Sequence, residues 1–404
     1  MKRLAPEGID PYAPGFLGDP FAAYQRLHAA GEVLWQPRLG LWLVPGHAAA
    51  RVLLRDAALA VIPIGANLQE LGGRAGRAFP ALREVLDAVP FLVNPPAHAA
   101  LRRFVAGILS AQAISAWVPA MREITRGLLA PLAAADRFDA AADFADRLPP
   151  LFMARLLGLP ESGVPELLEH TTGVIAVFNR ALRMSEYGAL EPKAAAALAV
   201  LRGVVAERRA APRDDAISRM LAARYDGEPL DDARVARFAL MIFLVGVETT
   251  STLIGSAIRT LLEHPAHYAA LRRERARLKG AIEEVLRCES PVQTVTRVAA
   301  RPVEIDGQRI APGERVLLML GAANRDPRAY AEPDRFDPRR SGPPHLAFAD
   351  GPHACLGATL SRTETQIALD AFLDLPPLAR SAGEERWWRY DWLRRVRGLP
   401  VEFA

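Results

Sequence analysis

From Ala97 to about Pro291, apolar residues recur every three or four positions, the spacing that gives a helix one buried face. Pro and Gly breaks divide this stretch at Leu159-Pro160, Ala211-Pro212-Arg213-Asp214 and Gly227-Glu228-Pro229. One predicted helix stands out. It starts near Asp231 and runs to Glu263 before Pro265, which at 1.5 Å per residue is about 50 Å, enough to cross a whole domain.

The flanks read differently. Asp19-Pro20 predicts the start of a helix through about Ala30, and Val33-Leu34-Trp35 with Leu41-Trp42-Leu43-Val44 predicts a hairpin across Gln36 to Gly40. Beyond Pro291 short strands are expected at Val303–Gly307, Arg309–Gly313 and Val316–Leu318, and a further helix after Gly357. With no internal repeat and no low-complexity linker, the expectation is one domain over 1–404, mainly α with small β-sheets (α+β). Its β-containing parts fall at about 30–65 and 292–320 plus C-terminal strands, and its helix-rich part at about 97–291.

Composition fits a chain that buries a large core, with 50% hydrophobic and 24% charged residues. The net charge of +4 and pI near 9.3 come without a Lys/Arg run, which argues against nucleic acid and for an acidic protein partner. The N-terminus has no apolar segment behind Lys2-Arg3, and the longest apolar stretch, Phe238 to Val247, falls short of the ~18 residues of a membrane span. A cytoplasmic monomer with no membrane contact is expected. Two cysteines, Cys288 and Cys355, without CxxC or CxxCH, exclude zinc ribbons, thioredoxin chemistry and covalently attached haem, and no disulfide is expected in a reducing compartment.

Alone, either cysteine reads as a small buried hydrophobe. Cys355 has unusual neighbours. It sits in Phe348-Ala349-Asp350-Gly351-Pro352-His353-Ala354-Cys355-Leu356-Gly357, a turn-rich loop feeding a helix, where the dipole and free N–H groups favour a metal-ligating thiolate. The loop resembles the haem-binding loop of the cytochrome P450 family, Phe-Gly-x-Gly-x-His-x-Cys-x-Gly, matching at Phe348, Gly351, His353, Cys355 and Gly357. Ala349 replaces one glycine, so the backbone there must accept a Cβ.

Two further motifs follow the family's order. Glu284 and Arg287 lie three apart on one helical face; alone such a pair is a solvated bridge, whereas the resemblance implies a buried structural one. Asn324-Arg325-Asp326-Pro327 and Pro333-Asp334-Arg335-Phe336 come next. Within the long helix, Val245-Gly246-Val247-Glu248-Thr249-Thr250 places a glycine, which costs ~1 kcal/mol against alanine, and a carboxylate in an apolar run. The bland account is that Gly246 lets another helix approach and Glu248 reaches a surface. The resemblance implies instead that Gly246 makes room for haem and oxygen, and that Glu248 and Thr249 are an acid-alcohol pair delivering protons to bound oxygen. Val245 stands where the family has a smaller residue.

Haem propionates need cationic partners. His98 and Arg102, i,i+4 in a helix begun by Pro95-Pro96, together with Arg297 and His353, are the set the resemblance implies, with Asn94 where aspartate is common. The remaining histidines form no metal set: His264 and His267 are read as a solvated turn around Pro265. Gly72-Gly73-Arg74-Ala75-Gly76 lacks Gly-Lys-Ser/Thr and is no phosphate loop.

The resemblance therefore implies the family's triangular helical fold, with haem b between the long central helix and the helix after the cysteine loop, and Cys355 as iron ligand. It implies a monooxygenase that hydroxylates or epoxidises a hydrophobic small molecule of specialised metabolism. No flavin or nicotinamide motif is visible, so a ferredoxin or flavodoxin with its reductase must supply electrons. Pocket residues are expected from Gly65 to Phe91, Thr172 to Leu190 and Pro291 to Thr296, with Phe243, Val245, Val292 and Val295 foremost. A peroxide-driven peroxygenase, a nitric-oxide-reducing relative and a non-catalytic haem gas-binding protein are the alternatives.

Overall fold

The side chain of Asp231 accepts from the amide of Arg234 at 2.7 Å and so caps the central helix, Asp232–Glu263. Such a cap is worth ~1 kcal/mol at an end that leaves four N–H groups unmatched. The computed structural model describes residues 2–13, 15–61, 78–87, 89, 92–174, 183–383, 385–388 and 393–404. The helix is apolar on nearly every face, and it is packed on nearly every face. Helices Leu148–Leu157, Met184–Ala210, Leu278–Cys288 and Ala358–Phe372 surround it.

By length and composition this helix could cross a membrane, yet 78% of its most apolar window is buried inside the protein. Its hydrophobicity is explained by the core it runs through. Phe144, Phe152, Phe243 and Phe372 are all at most 1% exposed there, and Phe144 stacks on Phe372 with centroids 5.9 Å apart.

The hairpin forms as expected, with Leu34–Gln36 antiparallel to Leu41–Val44 and Trp35 opposite Trp42. It opens a five-stranded sheet continued by Arg315–Leu318, Val295–Ala299 and Leu59–Ala60. Val295–Ala299 was not foreseen as a separate strand, because Arg297 interrupts its apolar run. In the sheet Arg297 lies opposite Val316, buried at 7% exposure. Other strands lie near their expected places, at Val303–Ile305 and Gln308–Ile310.

Glu284 and Arg287 occupy the inner face of Leu278–Cys288. Arg287 donates Nε to Glu284 Oε2 and Nη2 to Oε1, both at 2.8 Å, and Nη1 to the carbonyls of Asn324 and Pro333. Arg340 donates Nε to Glu284 Oε1 at 2.9 Å. Every strong group of this buried pair is hydrogen-bonded, the condition under which a charge survives burial. Cys288 lies beside it with its thiol pushed up to about 11 by burial, so it is an inert packing residue.

Candidate active site

The Cys355 loop is fixed before the sulfur is reached. Asp350 accepts two bonds from Arg55 at 3.0 Å and one from Arg51 at 3.2 Å, tying the loop to helix His47–Arg55. Gly351 has φ +71°, and a Cβ there would lie 2.7 Å from the Leu54 carbonyl oxygen. Only glycine fits that approach. Ala349 adopts φ +56°, so the Cβ foreseen as a burden sits on left-handed backbone. The amide of Cys355 donates to the Phe348 carbonyl at 2.9 Å, three residues before helix Ala358–Phe372 begins beyond Gly357.

Cys355 is an exposed residue, yet protein atoms crowd round its thiol. Burial pushes its thiol up, against the Gly357 amide and the charges of Arg102 and Arg362, which favour the thiolate. A metal cation is the partner that would take the sulfur as thiolate.

Four groups converge beside this loop from three segments. Arg102, on helix Ala97–Ile108, donates Nη1 to the Ala354 carbonyl at 2.7 Å. One turn earlier His98, 4% exposed, lays its ring 4.0 Å from that of His353. His353 Nδ1 is buried without a hydrogen-bond partner. Arg297 reaches in from the sheet, and burial alone lowers it to about 10. Among the described residues no carboxylate pairs with Arg102 or Arg297. Two guanidiniums without a counter-ion and an orphaned ring nitrogen form a site for an anion. Haem, with two carboxylates and an iron that takes a thiolate, fits this donor set.

On the central helix, Thr249 donates its hydroxyl to the Val245 carbonyl at 2.7 Å. Glu248 Oε2 is buried without a partner. Burial pushes Glu248 up to about 7, with Arg395 pulling against it and Asp146 adding to it. A carboxyl of that kind gives and takes protons near neutrality.

Comparison with known proteins is consistent with this site. The family model described as Cytochrome P450 matches residues 187–375. The biotin biosynthesis cytochrome P450 of Bacillus subtilis is 32% identical over 398 residues, 96% of this chain and 97% of that one. The chain belongs to the cytochrome P450 family. The erythromycin C-12 hydroxylase of Saccharopolyspora erythraea is 34% identical over 349 residues, 85% of this P450 and 83% of that protein. The crystal structure of P450BioI in complex with hexadec-9Z-enoic acid ligated acyl carrier protein superposes with a TM-score of 0.88 at 31% identity, covering 96% of this chain and 100% of that one. The P450 fold expected from the sequence is thus shown, and the enzyme is a P450 monooxygenase whose family works through haem iron.

Two expectations for this P450 are corrected. Gly246 does not hold space for haem: a Cβ there would meet Met153 Cε at 2.9 Å and Sδ at 3.0 Å, so the glycine admits helix Leu148–Leu157. Its ~1 kcal/mol helix cost is set against the ~1–3 kcal/mol of overpacking that contact. Phe243 is fully buried at 0% exposure in the main core, with no face left for an open pocket wall. Val245, Val292 and Val295 are partly exposed and remain candidates.

Most of the expected covering segment between Gly65 and Phe91, including the Gly72–Gly76 stretch, lies outside the described residues, as do residues 175–182. His264 and His267 are only partly exposed, with their rings 5.0 and 5.5 Å from Phe336, rather than a fully solvated turn. Arg362 was missed. Its guanidinium lies 4.5 Å over the Phe348 ring and binds Glu283 at 2.7 and 2.8 Å. Its position two helical turns after Cys355 was the available signal.

Proposed function

We propose that this P450 binds iron protoporphyrin IX through the Cys355 thiolate and inserts one atom of O2 into a hydrophobic small molecule, by hydroxylation or epoxidation. Electrons come from a separate ferredoxin or flavodoxin with its reductase. The reading rests on one observation above the others: Arg102 and Arg297, neither paired with a carboxylate among the described residues, meet His98 and the orphaned His353 Nδ1 beside the cysteine loop. A thiolate-ligated haem supplies O–O cleavage.

The chain's own residues divide the remaining work. Arg102, Arg297, His98 and His353 hold the propionates, and Phe348, under Arg362, braces the ligand loop. Glu248 holds a proton at Oε2 near neutral pH. Thr249, whose hydrogen is committed to the Val245 carbonyl, turns its oxygen lone pairs toward a water and orients it. Val245 narrows the space beside that hydroxyl, and Val292 and Val295 supply apolar wall.

The carbon-monoxide difference spectrum of the reduced protein tests the ligand, with a thiolate-type Soret band expected and a histidine-type band overturning the assignment. Reconstitution with a ferredoxin system and, separately, with peroxide distinguishes a monooxygenase from a peroxygenase. Product formation in either arm eliminates a gas-binding role. Long-chain fatty acids, free and loaded on a carrier protein, belong in the substrate panel, because P450BioI was crystallised with an acyl-loaded carrier.

A further inference from the structure

Arg362 brings a cation to the ligand loop and is held there by two other segments. Its guanidinium lies 4.5 Å over the Phe348 ring, and the Phe348 carbonyl accepts the Cys355 amide at 2.9 Å. Nε and Nη2 of Arg362 donate to the two oxygens of Glu283, on the neighbouring helix Leu278–Cys288, at 2.7 and 2.8 Å. A grip at two points fixes the plane of the guanidinium as well as its place.

Glu283 is itself oriented. His345 Nδ1 accepts the Ala347 amide at 3.2 Å, which leaves the ring hydrogen on Nε2 to donate to Glu283 Oε2 at 3.1 Å. The His345 ring centroid is 6.1 Å from that of Phe348, so histidine, carboxylate, guanidinium and Phe348 form a closed circuit. Burial raises the Glu283 carboxyl, but the hydrogen bonds from His345 and Arg362 outweigh it and hold the group down at about 2. Glu283 is therefore an anion at every working pH. Arg362 and Glu283 are each 36% exposed, so their charges are screened in part by solvent.

Taking up one electron makes the thiolate-bound iron more negative by one charge. A cation fixed beside the ligand loop favours that state, and an anion beside it opposes it. The face of Arg362 that meets Phe348 is covered by the ring, and the charge acts on the Cys355 sulfur. We propose that Arg362 and Glu283 are positioning residues that set the reduction potential of the haem iron: Arg362, pinned over Phe348, raises it, and Glu283 offsets part of that charge. The inference rests on the reading of Cys355 as the haem ligand.

The two members of the pair act with opposite sign, so neutralising them must move the potential in opposite directions. The test is a spectroelectrochemical titration of the ferric-ferrous couple in the holoenzyme with mediator dyes, in which docking of a protein electron donor plays no part. Arg362→Gln is expected to lower the equilibrium constant for reduction about threefold, which is about 30 mV at 59 mV per tenfold for one electron. Glu283→Gln, which keeps an oxygen for Arg362, is expected to raise the potential, and Arg362→Lys, which keeps the charge without the planar fork, to fall between wild type and Arg362→Gln. The gap between wild type and Arg362→Gln should narrow as ionic strength rises.

Equal potentials in wild type and Arg362→Gln, or shifts of the same sign in Arg362→Gln and Glu283→Gln, overturn the inference. A gap indifferent to salt marks a rearranged loop and overturns it too. Should Arg362→Gln fail to hold haem, Glu283→Gln decides by sign, a potential at or below that of wild type overturning the proposal. The carbon-monoxide band of each reduced protein separates the two levels of the reading. A thiolate-type band with unmoved potentials removes this inference alone, whereas a histidine-type band in wild type removes the ligand assignment beneath it.

Discussion

The amide of Cys355 donates to the carbonyl of Phe348 at 2.9 Å, so the loop carrying the sulfur is closed by its own backbone. The side chain is therefore free to change without unmaking the loop. Cys355→Ser is expected to fold, with a thermal midpoint near that of wild type when both are compared without haem. It should lose the thiolate-type Soret band entirely. Unfolded Cys355→Ser protein would show that the sulfur, and not the backbone, organises the loop.

Arg287 and Glu284 are 2% and 4% exposed and satisfy each other at two contacts. Arg287→Ala leaves Glu284 with Arg340 as its one cationic partner among the described residues and frees the carbonyls of Asn324 and Pro333. A loss of about 3–5 kcal/mol is expected in chemical denaturation of the ferric protein. A loss under ~1 kcal/mol would mean that Arg340 compensates.

Glu364 is 1% exposed on the helix that follows the ligand loop, and burial pushes it up to about 8 from an ordinary value of 4.5. In the folded chain it keeps its proton to about pH 8, while the unfolded chain releases it above about 4.5. Its raised folded pKa gives a contribution fully present below about 4.5 and lost as pH rises through about 8. Glu364→Gln should therefore match wild type in mild acid and exceed it in thermal stability by pH 8 to 9. Parallel Tm-against-pH curves for the two proteins would contradict this.

Ala349 holds φ +56°, where an L-residue costs roughly 1–2 kcal/mol and glycine does not. Ala349→Gly is expected to gain about 1 kcal/mol in denaturant titration, less than the full strain because glycine loses more freedom on folding. A net loss would show that the Ala349 methyl packs productively against the apolar cluster of Trp42, Leu53, Leu54 and Leu346, which it borders.

What could be read from the sequence was local. The start of the central helix at Asp231, its end before Pro265 and the hairpin through Trp35 and Trp42 each depend on residues within a few positions. The burden at Ala349 was visible because it concerns one residue's own backbone. Gly246 was misassigned because a helix apolar all round does not announce which neighbour each face meets, and Met153 lies far away in sequence. Phe243 failed for the same reason. Nothing in the chain order places Glu283, His345 and Arg362 together; that meeting is made by the packing of three separate segments.

Arg102 and Arg297 are brought together by a helix and a sheet strand almost two hundred positions apart, with no acidic residue between them among those described. Two like charges held at one spot oppose the closing of the chain around it. The cofactor's carboxylates would then act as a keystone for assembly as well as an anchor. In cells short of haem, such a chain would be retained poorly in its folded form, and the amount of protein would follow the supply of its prosthetic group.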